Sequence, residues 1–500
     1  MKLNLSQYSV VARHDIRING VQVVKSQYIT EIYTDPFRTV PVFFYQNENT
    51  DLIVFSDMES FINDYRYELE VDEVGFWETV LYGNTIWTRT LFKTLVQLPA
   101  ACVATIDNQT NEYTIERYWD YCVQEDISID SIEKAVEELD KHLIRIFSKI
   151  DVTKHYVMGM SGGMDSRITL AYLSKYLPKE NLELFTYGFD ERILEYKYAK
   201  EMTENLGYNP PIFHKLTPDS YKKALQYLPF KSGGQISLIH CHMIDFFTSN
   251  NVRGKLNIST YFTDALLGWE CSVDKQENPN PYSKVLQNNA FVPNLIKEKI
   301  EQDAQQLFSS FNLDSNISSI DEYKYISERN QKFHTYLAFI QADYISSVNP
   351  YLDFDLLQYC LSIPRKYRAN KKIIDDVFEL KFKNISSRDF KNISSRFQWG
   401  ADFSGEFEFY NFKFINRINA ILRFMSKGQF QVFNKYQTEE LERILYRDFA
   451  RELATALDAI EEKGLITLGF KERMKKLPLR STGISERYTL ISLNSLINLC

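Results

Sequence analysis

The sequence predicts an α/β protein with a β-rich beginning, a parallel-sheet middle and a helical end, and three observations predict it. Before about residue 120, short alternating apolar runs are separated by polar turns. From about 150 to 260, apolar strands alternate with amphipathic helices, the pattern of a parallel sheet. Beyond about 300 the apolar spacing is mostly helical.

Taken in order, Val40 to Tyr45 and Leu52 to Ser56 flank a polar turn at 47–51 and predict a hairpin. Val71 to Tyr82 reads as a helix. Cys102 to Ile106 and Tyr113 to Arg117, around the turn Asp107 to Asn111, predict a second hairpin. The polar stretch Gln124 to Ser131 is the expected linker. Helix is expected from Ile132 to Lys149, where Val136, Leu139, Leu143 and Ile146 recur at helical spacing. Leu182 to Tyr187 and Leu256 to Tyr261 read as strands. Glu195 to Leu206 reads as a helix closed by Gly207.

The 500 residues predict two or more domains, and 44% hydrophobic with 25% charged residues is an ordinary globular balance. A formal charge of −8 argues against general affinity for nucleic acid. No apolar run reaches membrane-spanning length, and the N-terminus lacks the features of a signal peptide. Six dispersed cysteines with no Cys-x-x-Cys spacing point to a reduced, cytoplasmic setting. His240-Cys241-His242 would share a strand face two residues apart, but without further spaced ligands the metal signal is weak.

The chemistry concentrates at Val157 to Arg167. An apolar strand runs into Ser161-Gly162-Gly163-Met164-Asp165-Ser166, and a helix follows at once. Two glycines let backbone N–H groups approach an anion, and the helix start adds partial positive charge. Ser161 and Ser166 can donate to phosphate oxygens, and Asp165 can hold Mg²⁺. A strand–turn–helix with incidental glycines accounts for the same six residues. Ser232-Gly233-Gly234 lacks the aspartate and reads as a turn.

Ser161 to Ser166 resembles the loop of the PP-loop ATP pyrophosphatases, which transfer AMP from ATP to a substrate oxygen. Further blocks follow in order: Arg89 to Lys93, Leu98-Pro99, Arg117 to Asp120, Phe185 to Phe189 with Glu195-Tyr196, and Asn349 to Asp353 with Leu361 to Pro364. Together they resemble the glutamine-dependent class B asparagine synthetases and their relatives. The resemblance implies a diverged, Ntn-type β-rich glutaminase-like domain at 1–123. It implies an asparagine-synthetase-like PP-loop domain (adenine nucleotide α-hydrolase-like), with its parallel sheet and helical C-terminal region, at 124–500.

The departures refine that reading. The family's glutaminase begins Met-Cys-Gly, whereas this chain begins Met1-Lys2-Leu3, so the covalent route to ammonia is not expected. Cys102 or Cys122 would lack a terminal amine as base. Relatives with the same loss include the β-lactam synthetases and the lasso-peptide macrolactam synthetases. The family's second loop aligns with Ile258 to Trp269. Asp264 then stands at the Mg²⁺-binding aspartate. Tyr261 stands where relatives without glutaminase carry a tyrosine that takes a proton from the attacking amine; equally, it could simply end a buried strand. Glu322 and Glu328 are two candidates for its glutamate partner, and surface salt-bridge residues are the alternative for each.

The family's late lysine, in Arg-Pro-Lys-x-Gly, matches Arg396-Phe397-Gln398-Trp399-Gly400, so Gln398 replaces it, and either Arg396, Lys391 or Lys372 substitutes, the second half-reaction differs, or catalysis is impaired. The resemblance thus implies an ATP- and Mg²⁺-dependent, AMP-forming amide ligase. It would adenylate a small-molecule or peptide carboxylate, which an amine of the same molecule attacks. Intermolecular amidation by ammonia or an amine cosubstrate, and a non-catalytic partner protein of a biosynthetic pathway, remain open beside it. Sulfur transfer to tRNA is disfavoured by the acidic charge and the missing Cys-x-x-Cys.

Overall fold

A computed structural model describes residues 2–3, 8–47, 51–276, 280–382, 440–476 and 484–499, with 414–415, 417–422, 425–426, 430 and 432–433. Arg396, Lys391 and Gln398 lie outside the described residues.

The early strands are β1 (Lys2–Leu3), β2 (Tyr8–Val10), β3 (Val21–Lys25), β4 (Ile29–Thr34), β5 (Val42–Gln46), β6 (Leu52–Phe55), β7 (Leu95–Leu98), β8 (Cys102–Asp107) and β9 (Tyr113–Arg117). They form two sheets, ordered β1-β6-β5-β7 and β2-β3-β4-β8-β9. Both expected hairpins are present, with Phe43 opposite Phe55 and Cys102 opposite Arg117. Alternation along the strands layers the region. Val42, Phe44, Leu52 and Val54 pack against Val21, Val23 and Ile32 of the second sheet. Their neighbours Phe43, Tyr45, Ile53 and Phe55 face the main core instead. The β3–β4 hairpin does not stand out in the sequence because the buried face of β4 is Thr30, Ile32 and Thr34, two of them polar, while Ile29 is exposed.

Helix α1 (Met58–Tyr65) starts at Asp57, whose side chain accepts from Ser60 N. The expected 71–82 helix is α2 (Glu73–Tyr82), capped by Asp72 and ended by Gly83 at φ 81°. The expected linker is held near its start, where Asn316 N donates to Val123 O and Asp126 N to Ser362 O, and near its end, where the Tyr367 hydroxyl donates to Asp130 O at 2.7 Å. Helix α3 (Ile132–Phe147) follows, burying Val136, Leu139, Leu143 and Phe147.

A third sheet carries the middle of the chain: β10 (His155–Gly159), β11 (Leu182–Gly188), β12 (Ile212–Lys215), β13 (Lys255–Ile258) and β14 (Ser347–Val348). All its pairings are parallel and its order is β12-β11-β10-β13-β14. The chain moves outward from β10 to one edge and then returns to β10's other side with β13. That reversal opens a crevice beyond the carboxyl ends of β10 and β13, where ligands of open α/β sheets bind. The connections carry α4 (Met164–Leu173), α5 (Leu194–Asn205), α6 (Pro218–Ser232), α7 (His242–Ser249) and α8 (Thr263–Leu266).

Gly233, at φ 57°, ends α6, so Ser232 to Gly234 is indeed a turn. His240 to His242 is not a strand. Leu238–His240 forms a 3₁₀ turn that feeds α7, and the two rings part: His242 stacks on Tyr187 at 4.0 Å while His240 packs edge-on against Phe333. Among the described residues, no group of three or more His, Cys, Asp or Glu could hold a metal ion. No described helix is long and apolar enough to cross a membrane.

Among the described residues, helices dominate beyond about 300, as expected. The helix Ile484–Ile497 packs on Ala450–Glu462 and on α6, and Ser492 accepts from Leu238 N. One hydrophobic core runs from Phe37 to Ile497, joining the first N-terminal sheet to the parallel-sheet region.

Candidate active site

The first wall is the loop between β10 and α4. Tyr156, Val157 and Met158 are buried, which fixes the strand, and Met160 N donates to Phe185 O to hold the loop's start. Gly163, the N-cap of α4, has no side chain with which to cap the helix. Within the loop, Ser161 Oγ accepts from Gly163 N at 3.1 Å and lies 3.1 Å from Ser166 Oγ. A Cβ at Gly163 would come 3.0 Å from Ser161 Oγ, whereas one at Gly162 would meet Tyr198 Cβ on α5 at an ordinary 3.4 Å. Asp165 occupies the first turn of α4.

The second wall follows β13. Phe262 turns the chain at φ 75° and Thr263–Leu266 forms one short turn. This brings Asp264 to the same cavity of about 520 Å³ that Asp165 lines. Asp264 accepts from Ala265 N at 2.8 Å and from the Tyr325 hydroxyl. Beside it lies a second cavity of about 190 Å³ at the strands' carboxyl ends, lined by Ser161, Asp165, Ser166, Tyr187, Thr260 and Tyr261. Asp165 is common to both.

Lys371 completes the pair of walls. Its Nζ lies 2.7 and 2.9 Å from the two Asp165 oxygens, with the side chain 5% exposed. Asn370 and Lys371 are both left-handed, at φ 54° and 58°, a conformation costing a non-glycine residue about 1 kcal/mol or more. Backbone bonds to the second loop hold them there: Asn370 N donates to Cys271 O and Lys371 N to Gly268 O. The expected substitute Lys372 instead pairs with Asp376 at 2.9 Å on the surface.

The electrostatics follow from burial and proximity. Burial raises the Asp165 pKa, Lys371 opposes this, and the charge of Asp264 adds to it, leaving it above the ordinary carboxylate value. Burial also works against the Asp264 carboxylate, but His334, Lys371 and the donated Tyr325 hydroxyl outweigh it and hold its pKa down. Tyr261 is pushed up to about 12 by burial, and Gln341 Nε2 donates to its hydroxyl at 2.9 Å. Its surroundings therefore keep the phenol protonated, the opposite of what the expected base requires.

Neither candidate glutamate reaches Tyr261. Glu322 is buried against Arg368 and also accepts from Ser318 N and Ser318 Oγ at 2.6 and 2.8 Å. Glu328 pairs with Lys332 at 2.6 Å and accepts from Trp87 N, both side chains being at most 2% exposed. They are buried structural pairs, not the surface pairs of the alternative reading. Cys102 and Cys122 are both pushed up to about 12 by burial, so neither offers a thiolate.

Gly268 is the hinge between the second loop and Lys371. It sits at φ 86°, and a Cβ there would come within 2.3 Å of Arg368 O. Gly268→Ala is expected to lower stability by about 2–4 kcal/mol through left-handed strain plus overpacking, measured by urea denaturation. A loss below about 0.5 kcal/mol would show that this contact is not tight.

No family model matches the chain, and no curated protein matches it. Solved structures do match. One is an NH3-dependent NAD synthetase from Campylobacter jejuni, at 15% identity and a TM-score of 0.22, covering 41% of this chain and 96% of that one.

The sequence reading did not name Lys371, Tyr325 or His334. Lys371 sits one residue before a lysine that it did name, and nothing local separates the two. Tyr325 is one of 32 tyrosines, and only its contact with Asp264 marks it out.

Proposed function

We propose that the chain is an ATP-dependent, AMP-forming amide ligase, with an N-terminal domain at 1–123 and a synthetase domain at 124–500. One observation carries the reading. Asp165 and Asp264 come from the two loops beyond adjacent parallel strands and line one cavity beside the start of α4. The described likeness to a solved structure adds nothing to this argument, which rests on the residues.

In this reading the backbone at Gly162, Gly163 and the start of α4 receives ATP phosphates, with Ser161 and Ser166 donating. The 190 Å³ cavity at the carboxyl ends of the strands takes the nucleoside, with Tyr187 and Tyr261 on its walls. Two half-buried carboxylates, with Asp264 raising the cost of ionising Asp165, suit a divalent cation, and two carboxylates plus phosphate oxygens fit Mg²⁺. When bound, Mg²⁺ supplies charge neutralisation for the leaving pyrophosphate. Lys371 adds a cation on the same carboxylate, the role that Gln398 cannot fill. A substrate carboxylate attacks the α-phosphorus, and an amine then displaces AMP. An amine on the same molecule gains most, because binding holds both ends in place. The buried Lys371 cation held on Asp165 favours this over a partner protein that has lost its chemistry.

The test is pyrophosphate exchange into ATP with Mg²⁺ across a panel of amino acids and peptide carboxylates. Exchange is expected to require a particular carboxylate and to vanish in Asp165→Asn. Carboxylate-independent ATP binding with no exchange across the panel would favour a non-catalytic partner.

A further inference from the structure

Resting on the ligase reading above, we propose that Lys324 and Arg329 bind a second anionic group of the substrate, so that the acid this chain activates carries a further carboxylate or a phosphate. Both side chains line the same cavity of about 520 Å³ as Asp165 and Asp264. With Asp165, Asp264 and Lys371 assigned to the cation and the phosphates, the wall of Lys324, Arg329, Glu270, Asp321 and Trp269 is left for the rest of the substrate. None of the described residues lining the cavity is aliphatic, so an apolar tail finds no matching surface there.

The local winding brings the two cations together. Lys324 ends the helix Ile320–Lys324, and the π-helix Tyr325–His334 follows at once. Five residues apart in an α-helix, two side chains diverge by roughly 140°. The i→i+5 winding of a π-helix returns them to nearly the same face. The same turn carries Tyr325, whose hydroxyl donates to Asp264, so one segment serves both parts of the cavity.

The unmet charge on this wall is positive. Among the described residues, neither Lys324 nor Arg329 has a hydrogen bond or an ion pair. Lys324 is half-buried, its ammonium 4.5 and 5.6 Å from the Tyr282 and Tyr82 rings. Arg329 is exposed, with its guanidinium 5.1 Å from the Phe333 ring. The two carboxylates differ: Glu270 takes a hydrogen bond from the Trp269 side chain, and Asp321 has a partner of its own. Burial lowers the Lys324 pKa; Asp321, Glu328 and Glu270 oppose this and Arg329 adds to it. An incoming anion relieves that cost, and the planar fork of Arg329 suits a carboxylate or phosphate held by two hydrogen bonds.

The test is calorimetry on the full chain with Mg²⁺ and α,β-methylene-ATP. Succinate, glutarate and adipate are compared with butyrate, pentanoate and hexanoate, and with their ω-amino counterparts; 3-phosphonopropionate replaces the second carboxylate of succinate by a phosphonate. At least one doubly anionic acid is expected to bind about tenfold or more tightly than its neutral-tailed and amino-tailed counterparts, and the better of succinate and 3-phosphonopropionate tells carboxylate from phosphate. Arg329→Gln, at an exposed position that the fold tolerates, and Lys324→Met should each remove most of that advantage. No advantage for any doubly anionic acid, or an advantage that survives in both variants, would overturn the proposal. Pyrophosphate exchange with the tightest acid judges the ligase reading separately. An advantage in binding without any exchange would overturn that reading and leave the anion site standing.

Discussion

Lys371→Met is expected to lower carboxylate-dependent pyrophosphate exchange by about 10²–10³-fold, the scale on which one fixed charge-stabilising donor matters in a water-poor site. The ammonium lies 2.7 Å from Asp165 and the backbone on either side is clamped to the second loop. Little reorganisation is then needed as charge develops on the phosphates. The matched control is Lys372→Met, which removes only a surface pair with Asp376 and should leave exchange within about twofold, since such pairs contribute about 0–1 kcal/mol. Equal effects from the two variants would mean that Lys371 acts through general charge and not through its position.

Arg368→Leu is expected to cost about 3–5 kcal/mol of stability by stranding the Glu322 carboxylate. The pair is fully enclosed, with side-chain exposures of 0% and 2%, and Glu322 is further tied to Ser318. Arg368 also presses its backbone against Gly268, so the same variant disturbs the segment that carries Lys371. The measurement is the urea midpoint of Arg368→Leu, Glu322→Gln and the double variant Arg368→Leu with Glu322→Leu. Because a buried pair offsets much of its own desolvation, the double variant should be more stable than Arg368→Leu alone. Additive losses would show that the two side chains do not depend on each other.

These expectations divide what could be read in the chain from what could not. The strand into Ser161 to Ser166, the helix after it, both hairpins and α3 were legible, because each is coded by spacing within about 20 residues. The two aspartates were legible as well. Asp165 sits inside a local loop motif, and Asp264 sits at a matching place in the second loop. Local spacing also misled: His240 and His242 look like strand neighbours, yet the chain there makes a 3₁₀ turn and enters α7.

By itself, the sequence determined the parallel-sheet region and the Ser161 to Ser166 turn between strand and helix, since periodicity and turn chemistry act between neighbours in the chain. Only the tertiary structure decided which groups meet there. Lys371 reaches Asp165 across 206 positions, and Arg368 reaches Glu322 across 46. It also turned Glu322 and Glu328 from partners of Tyr261 into buried ion pairs, and kept Tyr261 protonated by enclosing it. The physical reason is that burial and pairing set the chemistry of an ionisable side chain, and both are properties of the packed chain. Identical residue types such as Lys371 and Lys372 carry no trace of it until the fold places one inside and leaves the other on the surface.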